Sequence, residues 1–192
     1  DMDKGLFVRA IGKYLSGILL LSLLLFVPAG TLDYRNAWLL MGVLFVPMLI
    51  AGAALMIGNP ALLRKRLQSR EKEATQRGTI ALGGLMFACG FVVAGLDYRF
   101  RWLPLPKWVA IAAAVAFLLG YLLYAEVLRE NAYLSRTVEI QEGQRVIDTG
   151  LYGIVRHPMY ASTLLLFLSM PLVLGSLLSF VIFLLYPAIM VK

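Results

Sequence analysis

Apolar residues fall into long blocks separated by short polar runs, and the blocks are the length of membrane-crossing helices, for which roughly 20 apolar residues suffice. The first runs from Tyr14 to Ala29, the second from Asn36 to Ile57, the third from Gly78 to Leu96 and the fourth from Trp108 to Leu128. Pro47 lies inside the second block, where neighbouring helices can re-satisfy the backbone that a proline frees. Between Met159 and Val191 the chain is apolar again, with Gly175-Ser176 in the middle. One helix of that length would be about 50 Å long, against a hydrocarbon core of about 30 Å. The pattern therefore predicts a helical hairpin turning near Gly175. The fold class is all-α: a polytopic transmembrane bundle of five to six helical segments in one domain, residues 1–192, the last two forming a hairpin.

The polar runs differ from one another. Asn59 to Arg77 is the most charged linker, with Arg64, Lys65, Arg66, Arg70, Lys72 and Arg77 interleaved with Leu62, Leu63 and Leu67. Residues 62–77 therefore suit a membrane surface carrying anionic headgroups, at roughly 1 kcal/mol per basic residue. Asp97 to Lys107 reads as a polar connector. From Arg129 to His157 the chain is polar for some 30 residues, and the alternation in Thr137–Ile140 and Arg145–Asp148 around Glu142-Gly143 suggests a short hairpin or extended loop.

Composition strengthens the membrane reading. The chain has 192 residues, 60% hydrophobic and 15% charged, whereas a soluble domain carries about 25% charged residues. Trp38, Trp102 and Trp108 sit near block ends, as interfacial aromatics do. The net charge of +7 does not point to nucleic acid, because the charges lie between the apolar blocks. Lys4, Arg9 and Lys13, the basic linker, and Arg129, Arg136, Arg145 and Arg156 share one side; Arg35, Arg99, Arg101 and Lys107 share the other. The imbalance predicts that the N-terminus and the 129–157 stretch face the cytoplasm. The first block, lacking a small-residue cleavage site, reads as a span and not a signal peptide. Cys89, the single cysteine, cannot form an internal disulfide and is expected as a small core residue.

Several chemistries are absent from the sequence. There is no dinucleotide-binding or P-loop glycine pattern, and one histidine with one cysteine cannot build a His/Cys metal site. Ionisable residues are nearly missing from the blocks, Glu126 being the nearest case, which disfavours an ion or proton path. What remains is Gly150-Leu151-Tyr152-Gly153-Ile154-Val155-Arg156-His157-Pro158-Met159-Tyr160. Pro158 pushes His157 into an extended conformation and suits the first turn of the next helix. That helix start presents N–H groups and partial positive charge to an anion such as a carboxylate.

These residues resemble the isoprenylcysteine carboxyl methyltransferases and related membrane phospholipid methyltransferases. The resemblance is carried by Glu130-Asn131 with Ser135, Gln141-Glu142-Gly143, Val146, Gly150-x-Tyr152, Arg156-His157-Pro158-Met159-Tyr160 and the Leu174-Gly175-Ser176 turn. It implies a cytoplasmic S-adenosylmethionine site without a Rossmann fold, built from Val146, Gly150, Tyr152, Arg156, His157, Pro158, Met159 and Tyr160. Asn131 and Ser135 would meet the substrate, a membrane lipid or a prenylated molecule. The family's catalytic Arg and Glu are expected beyond Lys192, so no catalytic residue is assigned. Two other readings stay open at this point: an NADPH-dependent sterol-type reductase and a non-catalytic membrane scaffold.

Overall fold

The computed structural model describes residues 4–67, 74–130 and 158–190. In chain order the helices are α1 (Lys4–Ala29), α2 (Arg35–Gly58), α3 (Pro60–Leu67), α4 (Ala74–Phe100), α5 (Lys107–Glu130), α6 (Pro158–Leu174), α7 (Leu177–Phe183) and α8 (Tyr186–Met190). Four of them, α1, α2, α4 and α5, are long and apolar enough to cross a membrane, and the protein is an all-α integral membrane bundle. The possible strand pairing around Glu142-Gly143 lies outside the described residues.

Helix ends follow local chemistry. At the end of α1, Gly30 adopts φ +68 and its N–H donates to the Phe26 carbonyl at 2.9 Å, as a glycine C-terminal cap does. The Asn59 side chain accepts from the Leu62 N–H at 3.0 Å, and Pro60 follows at the first helical position of α3. An Asn cap followed by proline is a helix-start signal, and it turns part of the expected linker into a helix. The last hairpin is present. Gly175 takes φ +76, and Ser176 caps α7 by accepting from the Ser179 N–H at 3.2 Å.

Connections between helices define two faces. The Leu105 N–H donates to the Gly175 carbonyl at 2.8 Å, and the Tyr34 hydroxyl donates to the Leu174 carbonyl at 2.8 Å. Tyr98 stacks on Tyr34 with centroids 4.1 Å apart and its hydroxyl donates to the Asp33 carbonyl. These contacts bring the α1–α2 turn, the α4–α5 connector and the α6–α7 turn to one end, the turn face. The α5 terminus at Glu130 and the α6 start at Pro158 therefore share the opposite end with α3. That end is the loop face.

Close approach of backbones holds the bundle, as is usual where lipid removes the hydrophobic drive between helices. A Cβ on Gly95 of α4 would lie 2.6 Å from the Leu25 carbonyl oxygen of α1, and one on Gly120 of α5 would lie 3.0 Å from Leu166 of α6. A Cβ on Gly90 would fall 2.3 Å from the Phe183 ring. Core residues Leu25, Ala37, Leu40, Ala94, Phe117, Val173 and Phe183 are almost wholly buried. Trp38, Trp102 and Trp108 are more than half exposed, as expected of interfacial anchors.

Two expectations need correction. Cys89 is exposed: Met86, Gly90, Phe91, Ala94 and Asp97 make up the packed face of α4, and Cys89 falls off that stripe. Asp97 does not open a polar connector. The helix continues to Phe100 and Asp97 is 1% exposed. Its carboxylate accepts from the Ser176 hydroxyl and from the Leu103 N–H, the latter at 2.8 Å. Both oxygens are thus partnered, as a buried carboxylate requires. Burial, reinforced by the Asp97 carboxylate and then by Tyr98, pushes the Tyr34 hydroxyl well above its ordinary value.

Candidate functional site

The antiparallel pair α5 and α6 packs along its length, with Ala110, Ala113, Ala114, Phe117 and Val127 of α5 and Ser162, Leu166, Ser169 and Val173 of α6 buried. Small residues at this interface let the helices approach closely. The pair therefore sets where residue 130 ends and residue 158 begins, and so where the intervening segment is tied to the bundle.

Of the expected cofactor residues, Pro158, Met159 and Tyr160 lie among the described ones. They form the first turn of α6, as the His157-Pro158 pair predicts. Pro158 is buried and Tyr160 is 48% exposed. Val146, Gly150, Tyr152, Arg156 and His157, and the expected substrate residues Asn131 and Ser135, lie outside the described residues. A first helical turn directs N–H groups out of the helix end, here toward the loop face.

The side chains just inside this turn are committed to backbone. Ser162 donates to the Met159 carbonyl at 2.9 Å, and Thr163 reaches the Met159 carbonyl at 3.0 Å and the Tyr160 carbonyl at 3.1 Å. Such back-bonding is how hydroxyls are tolerated in apolar helices. The second leg of the hairpin packs on α6 further along, at Phe167. Tyr186 of α8 is 6% exposed and sets its ring against Phe167 at 4.7 Å. Phe87 of α4 closes the cluster, 4.8 Å from Phe167 and 5.2 Å from Phe183. An aromatic cluster thus forms around Phe167, roughly 13 Å along α6 from Pro158.

Glu126 and Arg129, near the end of α5, pair with each other, Arg129 Nε donating to Glu126 at 2.8 Å. The buried Asp97–Ser176 pair belongs to the other end of the bundle. A helix of 17 residues separates it from Pro158 by roughly 25 Å, so it is structural with respect to this site. Sequence reading missed both Asp97 and Tyr186. Neither stands in a motif, and what marks them is packing between helices far apart in the chain.

Among the described residues, the outward N–H groups at the start of α6 suit an anion such as a carboxylate; the other expected cofactor residues lie outside them.

The chain matches no curated protein sequence and no solved structure. Residues 108–192, from the second residue of α5 through the final hairpin, match the family model of phospholipid methyltransferases. The match begins with α5 and takes in the whole polar segment that carries the resemblance. Over residues 108–192 this chain is similar to the phospholipid methyltransferases.

Proposed function

We propose that this protein transfers a methyl group from S-adenosylmethionine to the carboxylate of a lipophilic, isoprenylcysteine-like acceptor at the loop face. The observation that carries the reading is Arg156-His157-Pro158-Met159-Tyr160 leading into α6, inside the segment that matches the family. When bound, S-adenosylmethionine supplies an electrophilic methyl on a sulfonium sulfur.

His157 and Tyr160 hold the methionyl carboxylate and amine, with the first-turn N–H groups of α6 adding partial positive charge. Arg156 anchors the segment or an anion beside it. Gly150 and Tyr152 shape the pocket, and Val146, Pro158 and Met159 complete its wall. Asn131 and Ser135 orient the acceptor. A carboxylate is already ionised near neutral pH, with an ordinary pKa of about 4, so its attack needs no general base. The bound group would supply the methyl to the acceptor oxygen and leave as a neutral thioether, its sulfur keeping the electron pair. The protein's contribution is alignment and exclusion of water, proximity being worth up to roughly 7–11 kcal/mol in favourable cases.

A second reading is favoured by the family model itself, whose description names phospholipids: transfer to the amine of a phospholipid headgroup. That acceptor must first lose a proton. The two separate on product chemistry, because a methyl ester is cleaved by mild base and an N-methyl group is not. The first experiment is calorimetric titration of the detergent-purified full-length protein with S-adenosylmethionine and with NADPH, wild type against His157→Ala. Binding of S-adenosylmethionine, weakened tenfold or more by the substitution (about 1.4 kcal/mol), is the expected result. Unchanged affinity would remove His157 from the site, and binding of NADPH alone would replace the reading with a reductase.

A further inference from the structure

The second half of α2 is built differently from the first. Its buried residues, Ala37, Leu40, Met41 and Phe45, all precede Pro47. Beyond it Met48, Leu49, Ile50 and Ile57 are exposed, and no described residue of the helix is buried. Pro47 lacks the N–H that would bond the Val43 carbonyl, which softens the ladder at that point.

Immediately before the proline, two hydroxyls pin the helix from both sides. Tyr14 of α1 donates to the Phe45 carbonyl at 3.1 Å, and Tyr121 of α5 donates to the Leu44 carbonyl at 2.8 Å. The packed half is therefore fixed and the half beyond Pro47 is a lever. At the lever's tip α3 packs on α1 and α2. Leu6, Leu62 and Leu63 are buried there yet stand outside the main core cluster. Lys13 of α1 donates its ammonium to the Leu67 carbonyl at the end of α3, the position where a cation best serves a helix terminus.

The geometry points to a hinged flap: Gly58-side α2 together with α3 swings about Pro47, is latched closed by Lys13 on the Leu67 carbonyl, and opens the loop face to a tail-bearing molecule from the bilayer. The entry role rests on the proposed lipophilic acceptor; the movement itself does not. About 11 residues beyond the pivot make a lever of roughly 16 Å, so a bend of about 20° carries its tip by roughly 6 Å. The Lys13–Leu67 hydrogen bond ties the tip of that arm to α1.

The test measures distances between nitroxide pairs on the full-length protein in lipid nanodiscs, in a Cys89→Ala background. One pair joins Ile57 to Leu122, 84% and 67% exposed, and reports the lever against α5. A control pair joins Val27 to Ile111, both exposed and in the well-packed half. Lys13→Ala should raise the longer-distance population of the first pair by roughly tenfold, the expected scale for losing a charged hydrogen bond. Lys13→Arg should restore the closed distance, Pro47→Ala in the Lys13→Ala background should abolish the longer one, and the control pair should not move. Adding N-acetyl-S-farnesylcysteine to the native protein should favour the longer distance. One unchanged distance in every variant, or a control pair that shifts with the first, overturns the flap. Movement that ignores the prenylated probe overturns the entry role. S-adenosylmethionine binding, measured on the same samples, keeps the two readings apart, since its loss with a mobile flap counts only against the methyltransferase reading.

Discussion

On the turn face Asp97 ties the end of α4 to the α6–α7 turn. Its two oxygens receive the Leu103 N–H and the Ser176 hydroxyl, and Ser176 in turn caps α7. Replacing it with alanine strands the buried Ser176 hydroxyl, at about 1–3 kcal/mol, and frees the part-buried Leu103 N–H. Asp97→Ala is expected to lower the unfolding midpoint in detergent strongly, whereas Asp97→Asn, which retains an acceptor for Leu103, should lose less. Equal loss in the two variants would mean that charge, and not hydrogen bonding, is what the site needs. Hydropathy treats such an Asp as the first residue of a loop. It becomes a buried anchor because the α6–α7 turn, nearly 80 residues away in sequence, folds over it.

Among elements, glycines decide how near the helices come, and their tolerance should differ in kind. At Gly95 an added methyl meets the Leu25 carbonyl oxygen and the Ala29 nitrogen, which are backbone and cannot yield. Gly95→Ala should therefore cost about 1–3 kcal/mol, the usual range for overpacking. At Gly90 the obstacle is the Phe183 ring, so Gly90→Ala should be destabilising alone and relieved by Phe183→Leu. Gly84 has open space around it, and Gly84→Ala should change little. Unfolding measurements on the four variants check this ranking, and equal effects at all three glycines would refute it. Element identity was well read from hydropathy and from the Pro158 and Gly175 signals. The extra turns of α1 and α4, and α3 itself, were not, because polar residues continue a helix as readily as apolar ones once it has started. For α3 the Asn59-Pro60 start was visible in the sequence.

At the scale of the molecule, the two faces carry unequal charge. The face bearing Lys4, Arg9, Lys13 and the 64–77 linker carries the larger share of Lys and Arg, and the prediction from the positive-inside rule is that it faces the cytoplasm. In a Cys89→Ala background, an impermeant maleimide added to intact cells should label Thr31→Cys and Leu103→Cys on the turn face. It should reach Arg9→Cys and Gln144→Cys only after permeabilisation. The reverse pattern would place the proposed cofactor segment outside the cell and, with it, away from the cytoplasmic supply of S-adenosylmethionine.

By itself the sequence determined the number of long spans, the hairpin at Gly175, the start of α6 at Pro158 and the segment that matches the methyltransferases. Each depends on residues close together in the chain: a run long enough to cross a bilayer, a proline that limits its predecessor, a glycine that permits a left-handed turn. The tertiary structure alone decided which side of each helix is packed. In lipid an apolar side chain is equally at home against a neighbouring helix or against hydrocarbon, so hydropathy carries little inside–outside period. That is why Cys89 turned out to face outward and Asp97 inward. It is also why the Tyr14 and Tyr121 hydroxyls, which brace α2 beside Pro47, became visible only when three helices distant in sequence stood side by side.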